Sequence, residues 1–163
     1  MKYLLASLTL LVALHCQAQE TTTFILVRHA EKATDDPKDP SLSEPGEQRA
    51  IALMNLLEKA AITSIYSTPY KRTRSTVLPL AEQLGLEILD YDPSDTNGFV
   101  ALLKQKHKGG TILISGHSNT TPFLANALLG EQKYEPFDDD DYGNILIVTV
   151  SKSVKPSVVH LTY

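Results

Sequence analysis

Short apolar runs with strand character alternate with longer helical patterns along most of this chain, and that alternation constrains the fold more than any other feature. The runs are Thr23 to Val27, Ser64 to Tyr66, Leu86 to Leu89, Thr111 to Ser115 and Asn144 to Val150, with Val158 to Leu161 as a candidate edge strand. Phe24-Ile25-Leu26-Val27 and Ile112-Leu113-Ile114 are continuously apolar, as strands buried on both faces are. Strands separated by helices imply an α/β three-layer sandwich, a mainly parallel sheet flanked by helices.

The helical segments carry their own start and stop signals. Ser43 is placed as an N-cap, with Pro45 and Glu47 in the first turn and an apolar stripe through Ile51, Met54, Leu57 and Ala61. Pro69 to Leu84 forms a second helix closed by Gly85. Thr96 to Lys108 forms a third closed by Gly109-Gly110, and Thr121 to Leu129 a fourth closed by Gly130. Two long polar loops remain, Ala33 to Pro40 and Glu131 to Tyr142, where specificity is expected to reside.

Residues 1–18 read as a secretory signal peptide. Lys2 supplies a positive charge, Leu4 to Leu14 is apolar, and Cys16-Gln17-Ala18 offers small residues for cleavage before Gln19. The apolar run is about half of the roughly 20 residues that span a bilayer, so no membrane insertion is expected after cleavage. His15 stands where a lipid-anchoring signal wants a small residue. The expectation is an exported protein, periplasmic or secreted, with residues 19–163 forming a single domain. Cys16 is the only cysteine, so that domain would hold no disulfide, thiol nucleophile or Cys-ligated metal. With 15 Lys+Arg against 19 Asp+Glu the net charge is −4, which argues against a nucleic-acid partner. Oligomeric state is not encoded legibly.

In a parallel sheet, ligands bind at the carboxyl ends of strands beside helix N-termini. Three polar groups occupy such ends: Arg28-His29-Ala30-Glu31, Ser67-Thr68-Pro69-Tyr70-Lys71-Arg72 and Gly116-His117-Ser118-Asn119. Guanidinium forks match phosphoryl oxygens, and imidazole can be a neutral nucleophile or a charged donor. The set describes a phosphoryl site that needs no metal and no cofactor.

With these three motifs in this order, the chain resembles the histidine phosphatase superfamily, also called phosphoglycerate mutase-like, over roughly Thr23 to Val150. The resemblance implies that His29 attacks phosphorus to form a phosphohistidine that water then hydrolyses, with a backbone carbonyl holding its other nitrogen. It implies Arg28 and Arg72 as clamps on one phosphoryl group, and His117 as the second histidine, protonated beside a dianion. Ser118 and Asn119 are expected to bind substrate at a helix start. Arg74, about 200° around the helix from Arg72, reads as a solvated charge. His107 and His160 read as surface residues.

The proton donor is the weakest element. Asp92 is the first candidate, with Glu31 and Asp141 as alternatives, although Asp92-Pro93 also suits a plain turn. Asp138 to Asp141 reads as a solvated acidic loop. The expected activity is a phosphatase acting on a small phosphorylated substrate. Alternatives are a phosphohistidine-protein phosphatase and a non-catalytic phosphate-binding or interaction module on the same fold.

Overall fold

The structure is a computed structural model and describes residues 20–163. The expected signal peptide over residues 1–18, its cut before Gln19 and Cys16 lie outside the described residues. Among the described residues, no helix is long and apolar enough to cross a membrane.

Ten elements follow in the order β1 (Thr22–Arg28), α1 (Glu44–Leu57), β2 (Ile62–Ser67), α2 (Lys71–Leu84), β3 (Ile88–Asp90), α3 (Thr96–Lys106), β4 (Thr111–Gly116), α4 (Thr120–Leu129), β5 (Asn144–Val150) and β6 (Ser157–Thr162). The strands form one sheet in the order β3-β2-β4-β1-β5-β6. β3, β2, β4 and β1 run parallel, β5 is antiparallel to β1, and β6 is antiparallel to β5. This is the expected α/β architecture.

Strand pleating divides the core into two layers. Phe24 and Leu26 of β1 join Ile112, Ile114 and Leu146 on one face, under Phe99 and Leu103 of α3 and Leu124 and Leu128 of α4. Ile25 and Val27 join Ile65, Leu113 and Ile145 on the other, under Leu53 and Leu57 of α1 and Val77 and Leu80 of α2. Because successive side chains of a strand point to opposite faces, a continuous apolar run fills both layers.

The helix signals hold at Ser43, whose Oγ accepts the Gly46 N–H, and at Gly85 and Gly130, which end α2 and α4 with φ of 65° and 73°. The phase of α1 differs from expectation. Its buried side is Gly46, Ala50, Leu53 and Leu57, whereas Ile51 is 42% exposed and Ala61 lies beyond the helix. Gly46 sets the phase: a Cβ there would stand 2.2 Å from the carbonyl oxygen of Glu31. That oxygen also accepts from Ser43 N at 2.9 Å, so the start of α1 is pressed against the segment after β1. α2 starts at Lys71 and not at Pro69; its N-cap Tyr70 offers no side-chain acceptor, and Asp39 Oδ1 takes the Lys71 N–H at 2.9 Å instead. α3 ends at Lys106, capped by His107, short of the expected Lys108.

Candidate active site

β1, β4 and β2 end side by side. Arg28 is in register with Gly116, and Ser67 with Ser115. The ladder continues one residue further, with His29 N donating to Gly116 O at 2.9 Å and Thr68 N to Ser115 O at 3.3 Å. His29, Thr68 and His117 thereby meet at one sheet edge, joined by Arg72 from the first turn of α2. The cleft above them, about 610 Å³, is lined by Arg28, His29, Arg72, His117, Ser118, Asn119 and residues of the loop 33–40.

His29 is buried, and its Nδ1–H donates to the carbonyl of Ala30 at 2.8 Å. Its protonation is pushed down to about 3, chiefly by burial and then by the charges of Arg28 and Arg72. The ring is therefore neutral, with its lone pair on Nε2. Thr76 Oγ1 accepts the Ala30 N–H at 2.9 Å and donates to Arg72 O at 2.7 Å, tying the segment after the nucleophile to α2.

His117 lies 5.5 Å from His29 between ring centroids, edge to face. Its Nε2 is 2.9 Å from Thr68 Oγ1, its Nδ1 is 3.4 Å from Arg72 Nη2, and its backbone N–H donates to Thr120 Oγ1 at 2.8 Å. Burial, Arg72 and Arg28 push its protonation down to about 4, so the protein alone does not hold the charged ring expected from the sequence. Gly116 is required just before it, since a Cβ would lie 2.8 to 3.0 Å from Thr120 Oγ1, Tyr91 OH and Thr121 Oγ1.

The two arginines are held differently. Arg28 is 1% exposed; its Nη1 donates to the carbonyls of Asp138 (2.6 Å) and Asp141 (2.9 Å), and its Nη2 to that of Asp139 (2.9 Å). The Tyr142 ring lies 4.2 Å from its guanidinium carbon. Only Nε is buried without a partner, so the expected full clamp is reduced to a side-on donor. Arg72 keeps a buried, unpartnered Nη1, which stands 3.7 Å from Asp39 Oδ1. Two orphaned guanidinium donors next to a free imidazole lone pair are the groups an oxyanion would satisfy.

Of the expected binding residues, Ser118 and Asn119 line the cleft. Asn119 caps α4 through Oδ1 to Thr120 N, and the Ser118 carbonyl accepts the Phe137 N–H at 2.9 Å. The three proposed acids are elsewhere. Asp92 is exposed, its Oδ1 accepts the Ser94 N–H at 2.8 Å, and it lines hollows away from the histidines. The turn reading of Asp92-Pro93 therefore describes the residue as it stands, outside the lining of the cleft that holds the histidines. Glu31 is forked onto Arg49 at 2.6 to 3.0 Å. Asp141 reaches Arg28 through its carbonyl while its side chain is in solvent.

Arg74 ion-pairs with Asp90 and points away from the cleft. His160 bonds Asn144 Oδ1 at 2.5 Å, and His107 is half-buried against Tyr66 OH at 2.9 Å. Sequence reasoning missed Thr68, Thr73, Asp39 and Tyr142. It also missed that the acidic run encloses Arg28 with backbone carbonyls. The hydroxyls next to Arg72 and the aromatic ending the acidic loop were the available signals. Among the described residues, no three His, Cys, Asp or Glu side chains gather in a way that could hold a metal.

Residues 24–93 match the histidine phosphatase superfamily (branch 1). The stretch holds Arg28, His29 and Arg72 and stops short of His117. Over 74 residues the chain is 40% identical to phosphoserine phosphatase 1 of Hydrogenobacter thermophilus, an alignment covering 42% of this chain and 35% of that protein. The chain thus spans about a third of the length of that relative. Its fold is similar to that of a phosphoserine phosphatase from Entamoeba histolytica solved with 3-phosphoglyceric acid, with a TM-score of 0.67, 17% identity and coverage of 87% and 97% of the two chains. It is also similar to the protein histidine phosphatase SixA complexed with tungstate, with a TM-score of 0.65, 16% identity and coverage of 87% and 96%. The family match is thus to residues 24–93, and the likeness to the solved structures is one of fold. The mainly parallel sheet flanked by helices is the fold of the phosphoglycerate mutase-like phosphatases.

Proposed function

We propose that the chain is a metal-independent phosphatase that hydrolyses phosphomonoesters through a phosphohistidine on His29. One observation carries the reading: a neutral His29 with Nε2 free lies beside the unpartnered donors Arg28 Nε and Arg72 Nη1. Nε2 attacks phosphorus, the P–O bond to the alcohol breaks, and the guanidiniums offset charge on the phosphoryl oxygens. Water then attacks the phosphohistidine and releases phosphate. Asp139, 94% exposed at the cleft, disfavours polyanionic substrates, which favours a small monoester. The test is a hydrolysis screen over sugar phosphates, nucleotides, inositol phosphates and phosphohistidine peptides, with and without a chelator, followed by rapid-quench labelling. Turnover with phosphate trapped on His29 supports the reading; no turnover on any class removes it.

A second reading, a phosphohistidine-protein phosphatase, is favoured by the carboxylates of the cleft. Among the described residues, Asp36 and Asp139 line it and Asp39 stands 3.7 Å from Arg72 Nη1, and Asp36 Oδ1 accepts the N–H groups of Lys38 and Asp39 at 2.9 and 3.2 Å. A phosphoramidate leaves with less need of a dedicated acid than an alkoxide. Export of the domain after removal of residues 1–18 belongs to the same proposal, and intact mass of secreted material starting at Gln19 would support it. A non-catalytic binding module is the least favoured alternative, because His29, Arg28, Arg72 and His117 are all present.

A further inference from the structure

Behind His117 runs a chain of buried hydroxyls with one workable direction. Thr68 Oγ1 is 2.9 Å from His117 Nε2 and 3.0 Å from Thr73 Oγ1, and both threonines are wholly buried. Thr73 Oγ1 lies 2.9 Å from the carbonyl oxygen of Thr68 and 3.0 Å from that of Tyr70. Carbonyl oxygens can only accept. Were the Thr73 proton directed to Thr68 instead, lone pairs would face each other across both short contacts, so Thr73 donates to the carbonyls. Thr68 then donates to Thr73, and the remaining lone pair of Thr68 Oγ1 calls for a proton on His117 Nε2. The far side of the ring agrees: Arg72 Nη2, which can only donate, is 3.4 Å from His117 Nδ1 and requires a lone pair there. His29 is fixed in the opposite sense, with its proton on Nδ1.

We propose that the Thr68–Thr73 hydroxyl pair fixes His117 in its Nε2–H tautomer, so that the ring takes up one proton at Nδ1, becoming imidazolium, whenever it binds a phosphoryl oxygen. A lone pair on Nδ1 repels an oxyanion, and with Nε2–H already committed to Thr68 the ring can gain a donor at Nδ1 only by gaining a charge. The proton comes from solvent. Thr68 and Thr73 are positioning residues, acting on the ligand through His117. Facing His117 are Arg72 and Tyr70 from α2 and its entry, and Arg28 and His29 from the end of β1. Behind Arg28 stand Tyr142, Asp139, Asp140 and Asp141. The inference deepens the phosphatase reading and rests on it for the identity of the ligand.

The test is binding of tungstate, a tetrahedral dianion at neutral pH, to the full chain, with nitrogen-15 spectra of the histidines recorded on the protein alone. The wild type should lose affinity by about tenfold per pH unit between about pH 6 and 7.5, the signature of one proton taken up on binding. Thr68→Ser should keep that slope. Thr68→Val, which frees His117 to carry its proton on Nδ1 while neutral, should bind with affinity nearly independent of pH. If Thr68→Val does not fold, Thr73→Val, which leaves Thr68 free to donate to Nε2, serves with the same expectation. A wild-type slope near zero, or an unchanged slope in the valine variant, overturns the proposal. So does a spectrum showing neutral His117 protonated on Nδ1. Failure of the wild type to hydrolyse any phosphorylated compound would instead remove the function, with the tautomer still read from the spectrum.

Discussion

The carboxylate of Glu31 and the guanidinium of Arg49 meet in a forked contact, with Nε 2.9 and 3.0 Å from the two oxygens and Nη2 2.6 Å from one of them. The pairing holds the Glu31 carboxyl below its ordinary range, chiefly through the Arg49 hydrogen bonds. A carboxyl so depressed contributes stability that is present above its unfolded value, about 4.3. That contribution is lost as pH falls through the folded value. Glu31→Gln should therefore melt lower than the wild type at neutral pH, and the gap should narrow on acidification. An unchanged melting temperature at pH 7, or a gap that widens in acid, would contradict the pairing. Held this way, Glu31 is also a poor general acid, because its hydrogen bonds to Arg49 favour the ionised carboxylate.

Asp92→Asn should leave the ratio of alkyl to aryl phosphate turnover where it is in the wild type. Asparagine keeps the oxygen that accepts the Ser94 N–H, so the turn survives. A selective loss on alkyl phosphates would return Asp92 to the acid role and require the turn to rearrange during the reaction.

The parts of this fold that were legible in the sequence are those decided within a few residues. β5 is legible from Asn144 to Val150 because its centre, Ile145 to Val148, is a continuous apolar run that needs only its own length. Ser43, Gly85 and Gly130 were legible because a cap is chemistry between neighbours. The phase of α1 was not, since it depends on Gly46 meeting a carbonyl of the segment after β1. Neither was the hold on Arg28, in which the acceptors are backbone oxygens of residues more than 100 positions away. Backbone carbonyls carry no residue identity, so the four aspartates drew attention to exposed side chains while the main chain made the contacts. The same holds for Asp39, whose carboxylate caps α2 from a separate loop.

Gly46→Ala should destabilise the fold by about 1 to 3 kcal/mol, the usual cost of forcing extra volume into a packed contact. The added methyl would meet the Glu31 carbonyl, so α1 or the His29–Glu31 segment must move. Denaturant unfolding measures the cost, and kcat should fall with it because the displaced segment carries the nucleophile. Wild-type stability in the alanine variant would show that the close approach is not needed.

The two arginines should separate by experiment. Arg72→Ala should slow turnover of every phosphomonoester by about 10²- to 10³-fold, the effect of removing one charge-assisted donor from the transferring group. It should leave hydrogen exchange in the loop 131–142 unchanged. Arg28→Ala should cost activity too, and should also release the amides around Asp138 to Tyr142 to fast exchange, because three carbonyls lose their donor and the Tyr142 ring its cation. Equal exchange in the two variants would mean that the loop holds its shape without Arg28.

His29→Ala should abolish turnover with the fold intact, and the pH behaviour of the parent should identify the nucleophile as a neutral ring. Burial and the two guanidiniums push His29 down to about 3, so lowering the pH from about 7 to 5 leaves Nε2 unprotonated. Single-turnover phosphorylation of His29 should show no decline over that interval, where an ordinary histidine, titrating near 6.5, would lose most of its reactive form. A falling limb centred near that ordinary value, or label recovered from another residue, would remove His29 as the attacking group. The same depression has a stability consequence of definite sign. A buried His that stays neutral in the folded state is protonated more readily after unfolding, so folding weakens as pH falls below the unfolded value. His29→Ala should lose less stability than the wild type on going from pH 7 to pH 5, as measured by denaturant midpoints at the two values.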